Sequence, residues 1–275
     1  MKLSISLLLT TLLTSTIIDA QPPQYHDFVI MINSYNNAPF CERNMLSALD
    51  QDYPAEHFRI IFTNDCSTDQ TWELTSAVVA AHPKQAIVTM INNQAHKYAL
   101  WNFYDATHQY CRPDEIVVTL DGDDFLKDQQ VLSYLNQVYA DPKVWLTYGS
   151  YEFFPADPKL CPGAHAYSPQ TVQTCGFRKA GFFATHLRTY YAGLFQKIKL
   201  ADLKDHTGAW YTICPDLAIM YPMLEMAGAH SKFIERVLYI YNISNPVSRV
   251  PYEQVLQVTQ AIERQPKYPR LKRWH

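Results

Sequence analysis

Three carboxylates leave one apolar strand in the segment Val117-Val118-Thr119-Leu120-Asp121-Gly122-Asp123-Asp124-Phe125. Like charges this close repel and raise one another's pKa unless a cation or a metal offsets them. Hard carboxylate oxygens suit Mg2+ or Mn2+, ions that commonly bridge to substrate phosphates. Asp-x-Asp spacing alone is weak evidence, and it recurs as Asp50-Gln51-Asp52 in a stretch that reads as a helix-terminal turn. Position after a buried strand is what separates Asp121 and Asp123 from that second match. A calcium-binding EF-hand loop is ruled out, because its required glycine and distal glutamate are missing from Asp121 onward.

The elements that must position this turn are legible between Phe28 and Phe154. Apolar runs Phe28 to Ile32, Phe58 to Phe62, Ala86 to Ile91 and Ile116 to Leu120 read as buried strands. Amphipathic stretches follow them. Ser67 and Gln70 have capping-box spacing before Trp72, Leu74, Val78 and Val79, while Leu100, Phe103, Tyr104 and Thr107 repeat at helical spacing, as do Val131, Leu135 and Val138. Strand and helix in alternation imply right-handed crossovers and a mainly parallel sheet covered on both faces. Ligands of such sheets bind beyond the carboxyl ends of the strands. Each expected strand ends there on polar residues: Asn33, Ser34 and Tyr35; Asn64 and Asp65; Asn92 and Asn93; then the acidic turn.

Composition narrows the ligand. Of 275 residues only 8 are glycine, and neither GxGxxG nor GxxxxGK[ST] occurs, so a phosphate-cradling glycine loop is excluded. A formal net charge of −3 and no long basic stripe exclude a general nucleic-acid binder.

The segments "VIMINSYNNAPFCERNMLSALDQDYP", "IIFTNDCSTDQT", "VVTLDGDDFL" and "PDLAIMYPMLEMAG" together resemble the successive motifs of family-2 glycosyltransferases, from about Phe28 to Pro246. The resemblance implies an α/β fold: a single Rossmann-like A-type glycosyltransferase domain with a mainly parallel central sheet flanked by helices. It spans 27–250, with a nucleotide-binding half at 27–125 and an acceptor-side half at 126–250. It also implies roles. Asp65 would read the base, preceded by Asn64 where relatives frequently carry Asp. Asp121 would lie near the ribose and Asp123 on the metal, Mn2+ or Mg2+. Pro215-Asp216 stands where relatives carry Glu-Asp at a helix start, making Asp216 the catalytic base; Pro suits such a first turn. The usual glycine-rich, arginine-containing segment is replaced by "NNQAHKYALWN", leaving Lys97 as its cation. Asn33, Ser34 and Tyr35 complete the expected nucleotide-sugar contacts.

Two further residues sit in "THLRTYYAGLF": Arg188, a planar fork for the diphosphate, and His186, a neutral nitrogen for the metal shell. The implied reaction is inverting transfer from a nucleotide sugar, a UDP-sugar foremost, to a hydroxyl of a glycan, protein or lipid. The alternative is an inactive secreted module of the same fold that binds a nucleotide sugar or glycan. Retention of Asp65, Asp123 and Asp216 speaks against it, since binding alone needs no base. A two-metal nucleotidyl or phosphoryl transferase would need a second acidic cluster, which the sequence lacks.

Near the start, Met1-Lys2, an apolar stretch from Leu3 to Ile18, and Asp19-Ala20 before Pro22 and Pro23 read as a signal peptide over 1–20, shorter than the roughly 20 apolar residues of a membrane span. Export to the lumen of the secretory pathway or beyond follows, and Cys161 with Cys175 is the candidate disulfide. Asn242-Ile243-Ser244 is a glycosylation sequon within a strand-like run, which favours an unmodified Asn. The remainder, 251–275, reads as a helix and a basic tail. From Arg264 to His275 there are five Lys or Arg and no acid, which reads as a solvated tail, and membrane contact would come only through it or an uncleaved signal. Trp210 and the run Tyr148, Tyr151, Phe153 and Phe154 read as packing residues.

Overall fold

The structure, a computed structural model, describes residues 24–161, 163–245 and 250–274. The expected signal peptide lies outside them. Strands β1 (Phe28–Ser34), β2 (Phe58–Asn64), β3 (Val88–Asn92) and β4 (Ile116–Asp121) alternate with helices α1 (Cys41–Leu49), α2 (Thr71–Ala81) and α3 (Ala99–Tyr110). Next come β5 (Phe125–Leu126), α4 (Val131–Tyr139) and β6 (Leu146–Phe154), then the short helices α5 (Pro169–Thr174) and α6 (Phe177–Ala180). The chain continues through β7 (Thr189–Tyr191), α7 (Ala192–Phe195), α8 (Pro215–Ala227), β8 (Ser231–Asn242) and α9 (Tyr252–Glu263).

The described strands form one eight-stranded sheet in the order β3-β2-β1-β4-β7-β6-β8-β5. All four predicted strands are present, and they pair in parallel as β3-β2-β1-β4. The short β7 then joins antiparallel to both β4 and β6, while β6 pairs in parallel with β8 and β8 antiparallel with β5, so the sheet is mixed. Residues Val29, Ile30 and Ile32 of β1 are inaccessible to solvent, as two-sided cover of a central parallel strand requires. The predicted third strand starts late, at Val88, because Gln85–Ile87 form a 3-10 turn. As the edge of the sheet it is also only half-buried.

Two local expectations fail for identifiable reasons. The capping box of Ser67 and Gln70 does not form, because Ser67 Oγ accepts the Asn36 N–H instead. Asp69 takes over: its Oδ1 accepts the Thr71 N–H at 3.0 Å and its Oδ2 the Ala38 N–H at 3.0 Å, pinning the start of α2 to the loop after β1. The Cys161–Cys175 bridge is not formed either; the Cys175 thiol lies against the Glu225 carbonyl.

The basic tail is docked rather than solvated. Tyr268 is buried, its N–H donating to Glu225 Oε2 at 3.0 Å, and Trp274 stacks on Tyr191 at 3.9 Å. Its anchor is an ion pair inside the protein: Arg178 donates through Nε and Nη2 to both oxygens of Glu225, at 2.7 and 3.0 Å, and through Nη1 to the Ile262 carbonyl. Among the described residues no helix is long and apolar enough to cross a membrane. Removing one partner of a buried pair leaves the other charge uncompensated, so Glu225→Ala should cost about 3–5 kcal/mol, measurable by denaturant titration. An unchanged midpoint would show that the pair does not anchor the tail.

Candidate active site

Sheet register does the first part of the assembly. Asn33 lies beside Asp121, Ser34 beside Asn64, and Asn64 beside Asn92, so all four polar strand ends meet at one edge. The acidic turn is tight: Gly122 N–H donates to the Asn33 carbonyl at 2.9 Å and Asp124 N–H to the Asp121 carbonyl at 3.0 Å. Gly122 is required by close approach, since a Cβ there would sit 2.5 Å from Ser34 Oγ and 2.7 Å from the Asn33 carbonyl. Helix α1 clamps the turn through Asn44, whose Nδ2 donates to the carbonyls of Asp121 and Asp124 at 2.8 and 2.7 Å.

The three carboxylates of the turn differ sharply. Asp124 is buried and accepts from Tyr239 Oη at 2.6 Å and from the Asn242 N–H at 2.7 Å, which ties the turn to β8. Burial, reinforced by Asp121 and Asp123, pushes its pKa well above the ordinary carboxylate range. Asp121 opens onto a cavity; burial raises its pKa to about 6, against the opposing charge of Arg188. Asp123 lines the same cavity, and its Oδ2 accepts from Asn245 Nδ2 at 2.8 Å.

His186 and Arg188 arrive from the segment entering β7. Burial keeps the imidazole neutral, pushing its pKa well below the ordinary value. It stacks on Tyr239 at 4.4 Å, and its Nδ1 lies 3.2 Å from Arg188 Nη2. Arg188 reaches Asp121 Oδ2 with Nη2 at 3.6 Å and Asp216 Oδ2 with Nη1 at 3.4 Å. One guanidinium therefore joins the acidic turn to the first turn of α8, where Asp216 sits directly after Pro215. Its Nε and the Nδ2 of Asn33 are buried without a hydrogen-bond partner, donors available to a ligand.

Two cavities adjoin here. The larger, of about 460 Å³, is lined by Asn33, Ser34, Tyr35, Asp65, Asp121 and Asp123 among others. The smaller, of about 200 Å³, holds Asp216, Arg188, His186 and Tyr241. Both are lined by Asp121 and Pro215. Nine of the ten singled-out residues thus line one cavity or both, Asp65 with its carboxylate already engaged: it accepts the N–H groups of Lys97 and Tyr98, each at 2.8 Å. Lys97 is the exception, because its ammonium lies over Trp101 at 5.4 Å and only its main chain serves the site.

Asp121, Asp124 and His186 each offer one ligand atom, and these lie within 4.8 Å of one another. Two carboxylates and a neutral imidazole fit a divalent ion of the Mn2+ or Mg2+ kind. His186 is an expected member; Asp124 is a new one, while Asp123 stands beside the group on the larger cavity.

The model of the family described as "Glycosyl transferase family 2" matches residues 29–198. The chain belongs to glycosyl transferase family 2. Its fold is that of solved glycosyltransferases: S. aureus TarS 1–349 in complex with UDP-GlcNAc aligns at 15% identity over 86% of this chain and 65% of that one, with a TM-score of 0.62. The mannosyltransferase PcManGT from Pyrobaculum calidifontis, in complex with GDP-Man and Mn2+, aligns at 17% identity over 86% of this chain and 62% of that one, with a TM-score of 0.56. Glucosyl-3-phosphoglycerate synthase from Mycobacterium tuberculosis aligns at 9% identity over 86% and 77%, with a TM-score of 0.55. This chain spans less than two thirds of the TarS chains that it matches. No curated protein matches it significantly.

For this family-2 member, sequence reasoning missed the residues that hold the site together. Tyr239, Asn242, Asn44 and Asn245 act from distant elements, and no local spacing marks them. His96 and Tyr98 were legible only as part of an unusual segment; they form an aromatic wall with Tyr35, each neighbouring ring pair 4.1 Å apart. Trp210 packs against Tyr104 and lines neither cavity.

The raised pKa of Asp121 has a sign that can be checked. A carboxyl that holds its proton more tightly when folded stabilises the fold fully below its unfolded pKa, and that contribution is lost as pH rises through the folded value, about 6. In chelator the melting temperature should therefore fall across that window more steeply for wild type than for Asp121→Asn. Mn2+ should restore it increasingly above pH 6. Coincident curves for the two proteins would refute this.

Proposed function

We propose that this protein is a metal-dependent inverting glycosyltransferase that moves a sugar from a nucleotide diphosphate donor, a UDP-sugar foremost, to a hydroxyl of a glycan, protein or lipid. The observation that carries it is the Arg188 bridge, which sets Asp216 beside Asp121 where a nucleotide-sized cavity meets a smaller one. TarS and PcManGT, with their nucleotide-sugar complexes, support the donor class.

In this reading the nucleotide lies in the larger cavity. Asp65 holds the loop at the base end, Tyr35 and His96 offer ring faces there, and Asn33 Nδ2 supplies an unspent donor. Asp121 lies toward the ribose and Arg188 toward the diphosphate, while Asp123 and His186, with Asp121 and Asp124 adjoining, would hold the cation. A divalent ion there supplies charge stabilisation for the leaving diphosphate. The sugar then spans the boundary between cavities, with its anomeric carbon toward Asp216. The acceptor oxygen forms its bond to that carbon from the face opposite the diphosphate. The bond to the diphosphate oxygen breaks, and the acceptor's proton passes to the Asp216 carboxylate. Arg188 holds that carboxylate and offsets the negative charge gathered around it.

Positioned general-base catalysis contributes about 100-fold to 10,000-fold, so Asp216→Asn should lose that much transfer while keeping its UDP-induced thermal shift in Mn2+. Asp123→Ala should instead lose the shift. At about 100 times its dissociation constant, UDP should stabilise wild type by roughly 2.7 kcal/mol. Wild-type transfer by Asp216→Asn would reject the mechanism, and UDP without effect would reject the donor.

We also propose export to the lumen of the secretory pathway or beyond, on the pattern of Leu3 to Ala20. Sequencing the mature amino terminus should find Gln21; an intact Met1 would overturn cleavage.

A further inference from the structure

The smaller cavity does not end at Tyr241. Strand β6 is buried over Leu146 to Gly149, and its pairing with β8 then shifts register at Gly149/Ser150 and again at Ser150/Tyr151. Such bulges bend a strand and re-aim its side chains. Beyond the shifts, Tyr151 and Phe153 gather with Tyr241: ring centroids lie 5.2 Å apart for Tyr151–Phe153, 5.5 Å for Tyr151–Tyr241 and 6.1 Å for Phe153–Tyr241. Tyr151 also meets His186 edge-on at 5.7 Å. An unbroken aromatic wall therefore runs from the Asp216 cavity to a separate groove of about 400 Å³, lined by Tyr151, Glu152, Phe153, Asp157, Pro158 and Leu160 among others. The sequence suggested that these aromatics were core. Tyr148 is, but Tyr151 and Phe153 are only half-buried, and Phe153 is not part of the core cluster.

We infer that this groove holds the acceptor and that the acceptor is a neutral saccharide, an inference that rests on the transferase reading above. Three observations choose the occupant. Flat aromatic faces beside carboxylates match the two surfaces of a sugar ring: its C–H face packs on Phe153 and Tyr151, and its hydroxyls donate to carboxylate oxygens. Among the described residues the charged side chains lining the groove are Glu152 and Asp157, both acidic, so a phosphorylated or otherwise anionic acceptor meets repulsion. Lys127 is paired with Glu152, and no Lys or Arg is among the described residues that line the groove. Continuity with the Asp216 cavity through Tyr241 then decides the direction, since a saccharide lying along the wall delivers one hydroxyl to the base. A lipid chain would need a longer and uncharged channel.

The test is titration calorimetry of UDP, and of a neutral disaccharide set (maltose, cellobiose, lactose and diacetylchitobiose) against glucose 6-phosphate, with and without saturating UDP and Mn2+. At least one neutral disaccharide should bind the loaded protein and glucose 6-phosphate should bind none. Phe153→Ala should weaken that binding about tenfold, Phe153→Trp should retain it, and Asp157→Asn should weaken it several-fold, with melting curves confirming that each variant is folded. Binding of UDP with no neutral disaccharide bound, preference for the phosphorylated sugar, or wild-type affinity in folded Phe153→Ala and Asp157→Asn would overturn the groove and leave the donor reading standing. Failure of UDP to bind would overturn the donor reading and, with it, the acceptor role.

Discussion

Negative charge packed into one corner is the constraint around which this protein is built. Asp121, Asp123, Asp124 and Asp216 converge at the carboxyl ends of parallel strands, three of them within a four-residue turn. At an effective dielectric constant of about 20, two unit charges about 5 Å apart repel by about 3 kcal/mol, a sizeable part of a domain's whole stability. A fold does not keep such a cluster unless other groups offset it. Here the offset comes from all over the chain: Arg188 between Asp121 and Asp216, Tyr239 and the Asn242 N–H on Asp124, Asn245 on Asp123, and Asn44 on the carbonyls beneath. What remains is negative charge that a divalent cation would offset.

That arrangement divides labour among chemically identical side chains. Asp124, with both oxygens engaged and no exposure, is a fastener between the turn and β8. Asp121, at the end of β4, keeps an open face to both cavities, and Asp216 stands across from it at the start of α8. Arg188 does two jobs at once. It lowers the cost of holding Asp121 ionised, and it fixes how far α8 stands from the sheet edge, because the same guanidinium reaches both carboxylates. A lysine could not do so, since its ammonium is a point charge rather than a planar fork.

The amino-acid sequence made the parallel run β3-β2-β1-β4 readable and the rest of the sheet opaque. Runs such as Phe28 to Ile32 and Ile116 to Leu120 are continuous, apolar and bounded by polar turns, which is the pattern of a strand buried on both faces. β7 is three residues long and β5 two, too short to carry any period, so neither was visible. The site followed the same rule. Asp65, Asp121, Asp123 and Asp216 were legible because each sits at a strand end or a helix start with a motif around it. Tyr239, Asn245 and Asn44 were not, because their partners lie across the sheet and only folding makes them neighbours. Lys97 shows the converse error: a cation in the right segment whose charge turns to Trp101 while its backbone does the work. The tail misled for a related reason. Its charges suggested solvent, and those side chains do stay exposed and hydrated, while Tyr268 and Trp274 pack against the domain and settle where the tail lies.

The register shift between β6 and β8 links the charged site to the groove. From Gly149 to Ser150 β6 advances one residue while β8 advances from Ile234 to Val237, so the extra residues lie in β8 and its later side chains are re-aimed. Beyond the shift Phe153 pairs with Tyr241 and Tyr151 lies beside it, so these rings form the wall of a groove. On that same face of β8, Tyr239, two residues before Tyr241, fastens Asp124. Alternation along a strand sends both of these tyrosines to one side. His186 lies against both of them, at 4.4 Å from Tyr239 and 5.3 Å from Tyr241, so one stacked imidazole couples the carboxylate turn to the aromatic wall. The geometry of the charged site and the placement of the groove are therefore one structural decision, made where β6 and β8 fall out of step.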